Sequence, residues 1–503
     1  RQRAASAHII VVNHALLLSD VAVGNQILPE YKHLIVDEAH HLEARATEAL
    51  SVAVKQAAVE SFLMQVSAGQ SGFLSGLAAA IRASDAPPQV QSALSESLDA
   101  ANAHAEAAQR AVYPFFNHLS AVLHAQHPPR GDFDQQVRLV AAVRAQPAWS
   151  TAEILCETLT GALRQLSSAL EQVARACDEY DVLEGDDRLY ELASYRQRID
   201  ELRANLVAIV NEPQANGIYW ASISAESGDV VLNSAPLHVG QMLQDKLFKQ
   251  KDCVVLTSAT LRSASNASAG FTFIRERLSL DGAHELALDS PFNFQQSTLL
   301  YIPTDVPEPD TPNYNKIVHD ALVQLCKATQ GRTLVLFTSK SQLRRTYDAI
   351  SKPLEQAGIL VLGQYIDGSR RQLLENFKSM PRSVLLGTRS FWEGVDVVGD
   401  ALSCLVITRL PFAVPSDPIV AARSETFDDA FNQFMVPQAV LSFRQGFGRL
   451  IRSASDRGVV VMLDRRVLSK AYGKAFIAAL PKCTERRGLA KDLPSAAAQW
   501  LER

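Results

Sequence analysis

Two carboxylates, Asp37 and Glu38, stand directly after the apolar run Leu34-Ile35-Val36. Such a run reads as a buried strand, and its end is where the chain would leave a sheet. In parallel α/β sheets, ligands bind in the crevice outside the carboxyl ends of the strands. One carboxylate there can face a metal and the other a water. Magnesium takes hard oxygen ligands and keeps most of its waters, so one Asp plus a phosphate suffices. The neighbouring Glu could orient or deprotonate the attacking water. The plainer alternative is a polar loop start, which short motifs match by chance.

Four further stretches carry suitable chemistry. Ser258-Ala259-Thr260 follows the apolar run Cys253–Leu256 and offers hydroxyls that can bridge a carboxylate or imidazole to backbone, although Ser-Ala-Thr is also ordinary turn chemistry. Phe337-Thr338-Ser339-Lys340 closes a strand and opens a helix. Thr or Ser caps such a helix, and its free amides can also hold a phosphate. The stretch Gly387-Thr388-Arg389-Ser390-Phe391-Trp392-Glu393-Gly394-Val395-Asp396 combines glycines, hydroxyls and aromatics. These permit close backbone approach, phosphate contacts and base stacking. Finally, in Gln445-Gly446-Phe447-Gly448-Arg449-Leu450-Ile451-Arg452 the two arginines are three apart, so on a helix they share a face. Paired guanidiniums repel unless an anion lies between them, and a transferring γ-phosphoryl group is such an anion. A solvated basic face is the alternative. Asn13-His14 is favoured as a helix cap over a ligand pair.

The elements that must position these residues are legible as patterns. Strands are expected at His8–Val12, 33–36, Cys253–Leu256, Thr298–Ile302, Thr333–Phe337, Ile359–Leu362, Ser383–Leu386, Cys404–Ile407 and Val459–Leu463, and helical patterns such as Gln342–Ile350 and Arg370–Phe377 fill gaps between the later ones. That alternation marks parallel sheets with crossover helices. Between them, Leu155, Leu159, Leu163, Leu166, Leu170 and Val173 repeat at helical spacing, as do Leu192, Tyr195, Ile199, Leu202, Leu206 and Ile209. Two such stripes predict long helices packed together, an all-helical insertion within the first α/β unit. A hairpin, Gly217–Trp220 with Asp229–Leu232, follows it, and Pro303–Pro312 reads as a linker or surface loop.

The 503 residues suit two to four domains, 47% are hydrophobic and the net charge is −5, so a nucleic-acid site must be a local groove rather than a global field. The six cysteines have no C-x-x-C spacing, which suits buried thiols in a reducing compartment and gives no support to a zinc or iron–sulfur site within these residues. No apolar run is long enough to span a membrane and no signal peptide is recognisable, so the expected location is cytoplasmic.

Taken together, Asp37-Glu38-Ala39-His40 (a DEAH box), Ser258-Ala259-Thr260, the 387–396 stretch and Gln445-x-x-Gly448-Arg449-x-x-Arg452 resemble motifs II, III, V and VI of superfamily 2 helicases, and the phrases Val11-Val12-Asn13-His14, Thr257-Ser258-Ala259-Thr260-Leu261 and Trp392-Glu393-Gly394-Val395-Asp396 are similar to the XPD/DinG-like iron–sulfur subgroup. The resemblance implies an α/β fold of two RecA-like parallel-sheet lobes with an arch insertion in the first. The implied division is 1–45 and 213–285 for the first lobe, 46–212 for the arch, and 286–503 for the second lobe. It implies a bacterial-type ATP-dependent DNA helicase of DNA repair that uses ATP and Mg2+ on single-stranded DNA and forked duplex. Asp37 would hold the metal and Glu38 would activate water. Gln445, Arg449 and Arg452 would reach the γ-phosphate. His40, Ser258 and Thr260 would couple the lobes around the nucleotide, and Gly394 and Asp396 would link nucleotide state to grip. Thr338, Ser339, Thr388, Arg389 and Trp392 would contact the strand.

The family's phosphate loop, G-x-x-x-x-G-K-[ST], and its four cluster cysteines are not among these residues, and residue 1 is Arg. The expectation is that both lie upstream, with an open sheet edge and exposed apolar surface left behind. The 503 residues alone would bind ATP weakly. The alternative is a non-catalytic nucleic-acid-binding or assembly module.

Overall fold

A computed structural model describes residues 2–69, 71–126, 134–183, 185–263, 270–392, 397, 399–453 and 455–502. In chain order its strands are β1 (His33–Val36), β2 (Val52–Lys55), β3 (Gln135–Arg138), β4 (Gly217–Ile223), β5 (Val230–Pro236), β6 (Cys253–Leu256) and β7 (Thr298–Pro303). They continue with β8 (Thr333–Leu336), β9 (Leu360–Gly363), β10 (Ser383–Gly387), β11 (Cys404–Ile407), β12 (Gly458–Met462) and β13 (Thr484–Gly488). The chain separates into two compact units. One comprises Arg1–Pro29, Ala44–Val239 and Ser416–Arg423; the other comprises Glu30–Glu43, Gly240–Pro415 and Ser424–Arg503.

The first unit is dominated by the helices Pro88–Gln126, Pro147–Glu179 and Asp187–Leu206. Leu159, Leu163, Leu166, Leu170 and Val173 face the stripe Leu98, Ala101, Ala105, Ala108, Val112 and Phe115 in one core, with Leu192, Ile199 and Leu206 joining from the third helix. The alanines let the helix axes approach closely. The insertion is therefore helical as expected, but not wholly so. The hairpin β4–β5 does not return to a parallel sheet; it pairs antiparallel with β2 and β3 in the order β2-β5-β4-β3 and buries Ala221, Ile223, Val230 and Leu232 against the helices. Strand alternation gave the hairpin its existence but not its partners.

The second unit holds the parallel sheets. Seven strands, all parallel, run in the order β13-β7-β12-β11-β8-β10-β9. Strands β7, β8, β10, β11 and β12 are buried along their full length, because helices cover both faces. β13 is the one strand of this sheet missing from the sequence reading: Thr-Glu-Arg-Arg-Gly is charged because it forms an edge. A separate parallel pair, β1–β6, aligns His33 with Cys253 and Val36 with Leu256. The run at 8–12 forms no strand. Ile9 and Val11 are exposed, since no described strand lies beside them to complete a ladder.

Candidate nucleotide and nucleic-acid site

The ends of β1 and β6 are knotted together. The Thr257 amide donates to the Val36 carbonyl at 2.9 Å and the Ala39 amide to the Thr257 carbonyl at 3.0 Å. Between them Glu38 adopts a left-handed conformation, φ +49°, unusual for a residue with a side chain, and this turns its carboxylate outward. The Asp37 carboxylate accepts from the Glu38 amide at 2.9 Å. Ser258 Oγ donates to Glu38 Oε2 at 2.8 Å, and His40 Nδ1 lies 2.7 Å from Ser258 Oγ and 3.1 Å from Thr260 Oγ1. An Nδ1–H tautomer satisfies this chain: the ring donates to Ser258, whose hydroxyl donates on to Glu38. His41 Nε2 meets the far ring nitrogen of His40 at 2.9 Å. Ser258 and Thr260 thus tie Glu38 and His40 together across two strand ends of the same parallel pair. Just beyond it, Glu43 and the buried Arg277 form an ion pair, with the Arg277 guanidinium 5.2 Å from the Phe434 ring.

The helix Val436–Phe447 carries the start of the Gln445–Arg452 motif. Gln445 is buried, and Gly446 lies so close to Trp392 that a β-carbon would fall 2.7 Å from its ring. Arg444, one residue before the expected set, is engaged as well. It donates to the carbonyls of Arg262 and Ala259, the latter at 3.4 Å, immediately after Ser258. Burial, and then the nearby charge of Arg262, lowers its guanidinium from the ordinary value. The shared helical face of Arg449 and Arg452 does not exist, because the helix ends at Phe447 and Gly448 caps it. Beyond the cap, the Asp456 carboxylate accepts the amides of Arg452 and Ser453 at 2.7 and 2.9 Å and pulls the chain into a turn. Burial alone would raise the Asp456 carboxyl, but bonds from Ser453 and from the amides of Arg452, Ser453 and Gly399 hold it below the ordinary range. Arg449 donates Nε–H to the Trp392 carbonyl at 3.1 Å.

The expected strand-contact residues divide in two. Thr338, Ser339 and Arg389 are exposed at the carboxyl ends of β8 and β10, and Ser339 caps the helix Lys340–Glu355 by accepting from the Gln342 amide at 3.1 Å. Trp392, expected to stack on bases, is buried. Its indole N–H donates to the Phe337 carbonyl at 3.3 Å and its ring covers Gly446, so it packs and offers no face to a base. Thr388 is buried too, donating its amide and hydroxyl to Gln364 Oε1 at 2.8 and 2.9 Å. Sequence reading missed Gln364 and Tyr365, which follow a short edge strand without a recognisable motif. Gly394 and Asp396 lie outside the described residues.

No cluster of three or more metal-ligating side chains occurs among the described residues. An exposed Asp at a strand end suits a magnesium ion that takes its remaining ligands from water and phosphate. The thiols of Cys156 and Cys326 are pushed up to about 12 by burial, as suits packing rather than ligation. No helix of the described residues is long and apolar enough to cross a membrane.

These parallel strand ends thus bring together an acidic pair, a chain of hydroxyl and imidazole hydrogen bonds and a neighbouring basic helix terminus. Residues 322–483 match the helicase C-terminal domain family. Over 502 residues the chain is 30% identical to "3'-5' exonuclease DinG" of Bacillus subtilis (strain 168), covering 96% of this chain and 52% of that protein. It is 28% identical to "ATP-dependent DNA helicase YoaA" of Escherichia coli (strain K12), covering 98% of this chain and 69% of the relative. A solved XPD helicase shares the fold, with a TM-score of 0.51 at 17% identity over 90% of this chain and 68% of the other. Over nearly its whole length the chain is thus similar to proteins named DinG and YoaA, with an XPD-like fold. It spans about half the length of the first curated relatives it matches, 52% and 46%.

Proposed function

We propose that the chain forms the motor body of an ATP-dependent DNA helicase, coupling hydrolysis to movement along single-stranded DNA and to opening of forked duplex. The observation that carries this reading is the convergence at the β1–β6 rim. Asp37, Glu38, Ser258, His40 and Thr260 meet there, and Arg444 brings the start of the Gln445–Arg452 segment onto the same loop. Asp37 would hold Mg2+, which when bound offsets phosphate charge. Glu38, oriented by Ser258, accepts a proton from the attacking water. Gln445, Arg449 and Arg452 answer charge on the γ-phosphoryl group when the segment closes. Thr338, Ser339 and Arg389 hold the strand backbone, while Gly394 and Asp396 relay nucleotide state to it. The working division remains two lobes, 1–45 with 213–285 and 286–503, around an arch-like insertion.

The test is Mg2+-dependent, DNA-stimulated ATP hydrolysis by the product of the complete gene. Glu38→Gln should lower it at least ~100-fold while strand binding persists. Hydrolysis that survives the substitution removes Glu38 as the base. The second reading, a binding or assembly module without a working ATPase, is favoured by one observation: the 503 residues contain no G-x-x-x-x-G-K-[ST] loop. It stands if the wild-type gene product binds strand and hydrolyses nothing. On the motor reading the 503-residue chain alone binds ATP weakly and turns it over slowly.

A further inference from the structure

The carboxyl ends of β8, β10 and β9 are neighbours on one rim of the seven-stranded sheet. At ordinary strand spacing the outer two are about 10 Å apart, a few nucleotides' length. β8 delivers Thr338, Ser339 and Lys340 to that rim and β10 delivers Arg389 and Ser390, all exposed. β9 delivers something different. Its last residue is followed by Gln364, buried, and then by Tyr365, whose side chain is out in solvent with the residue 44% exposed.

An exposed tyrosine alone means little, but this one is held. Its backbone sits in the left-handed region at φ +67°, which disfavours a bulky side chain and fixes where the ring emerges. The corner is locked by Asp367, which accepts the Gly363 amide at 2.7 Å and the Tyr347 hydroxyl at 3.1 Å. The Tyr365 hydroxyl lies 3.1 Å from Thr388 Oγ1. Thr388 is in turn fixed by Gln364, which donates to Ser390 at 2.8 Å. Lys340 Nζ stands 4.7 Å from the ring centroid. The result is an aromatic plate tethered at its polar end to Thr388, with the cation of one neighbouring strand end, Lys340, over its ring. Aromatic faces beside a cationic track bind single strands by stacking, and do so without reading sequence. The rim also lacks its other aromatic candidate, since Trp392 is buried.

We propose that Tyr365 is a base-stacking plate for single-stranded nucleic acid, set in place by the Gln364–Thr388 pair, with the Lys340 ammonium over its ring. The proposal deepens the motor reading and rests on it. The test is fluorescence-anisotropy titration of the 503-residue chain with two labelled oligonucleotides of one length, one ordinary and one abasic at its central positions. Tyr365→Ala should weaken binding of the ordinary strand by about tenfold and change binding of the abasic strand little, because only bases stack. Tyr365→Phe and Tyr365→Trp, which keep a plate, should stay within about twofold of wild type for the ordinary strand. Equal losses on both oligonucleotides, or Tyr365→Phe as weak as Tyr365→Ala, would overturn the stacking role in favour of a purely structural one. If wild type binds the ordinary strand and Tyr365→Ala binds it equally well, the plate fails while the motor reading stands. If wild type binds neither strand, both fall.

Discussion

The β1–β6 pair and the seven-stranded sheet are both parallel and both end in turns rich in chemistry, yet they hold those turns by different means. In the large sheet, position comes from packing: β7, β8, β10, β11 and β12 have no exposed residue. In the pair, Ile35 and Val255 stand opposite one another and are 72% and 45% exposed. What fixes Glu38 is hydrogen bonding through Ser258, His40 and Thr260. The comparison teaches that substitutions in the large sheet should be read out as stability and substitutions at the small rim as activity.

The strongest test of the first half is Arg466→Ala. Asp464 has no exposed surface and accepts from Arg466 and from the Leu410 amide. Removing the guanidinium strands a buried carboxylate and should cost ~3–5 kcal/mol in denaturant unfolding. A cost under ~1 kcal/mol would show that burial is not what holds this sheet's rim. Gly446→Ala comes next. Its methyl would press on Trp392 and Leu336, and the expected loss is ~1–3 kcal/mol with a shift in tryptophan emission.

The small rim should respond in the opposite sense. Ser258→Ala removes the hydroxyl between Glu38 and His40 and should cost only ~1 kcal/mol of stability. DNA-stimulated hydrolysis by the complete gene product should nevertheless fall about tenfold, the effect of losing an orienting partner. Equal hydrolysis in the variant would make the relay decorative. The smallest effect is expected of Asp456→Asn. The Asp456 carboxyl titrates below its unfolded value near 3.9, so it adds stability above that value and loses it as pH falls through the folded one. The variant should therefore lose less stability than wild type between pH 6 and pH 3 in parallel melts.

Runs of β-branched residues announced most strands because burial on both faces leaves a continuous apolar signature, as at Cys404–Ile407. What a run cannot announce is its neighbour. The stretch His8–Val12 has the right residues and no strand beside it among the described residues, whereas the charged β13 has the wrong residues and a partner in β7. At the site, residue types were legible for Asp37, Glu38, Ser258 and His40, since their relay needs only two strand ends side by side. Arg449 and Arg452 were misplaced because Gly448 and Asp456, three-dimensional stops, interrupt a spacing that is helical on paper. Trp392 was misjudged because a glycine on another element, Gly446, makes room for its ring. Arg444, Gln364 and Tyr365 act through carbonyls and side chains far along the chain, and nothing local marks them.

The partner that Glu38 needs, Ser258, lies 220 residues later in the chain. At ~5–20 residues per second on a ribosome, β1 emerges roughly 10–45 s before β6 exists to receive it. During that interval the whole helical insertion is being made, and Ile35 waits for Val255, its partner across the pair. Cellular yield of this protein should accordingly depend on chaperone capacity and on synthesis rate, because the acidic rim stays open for the whole of that interval.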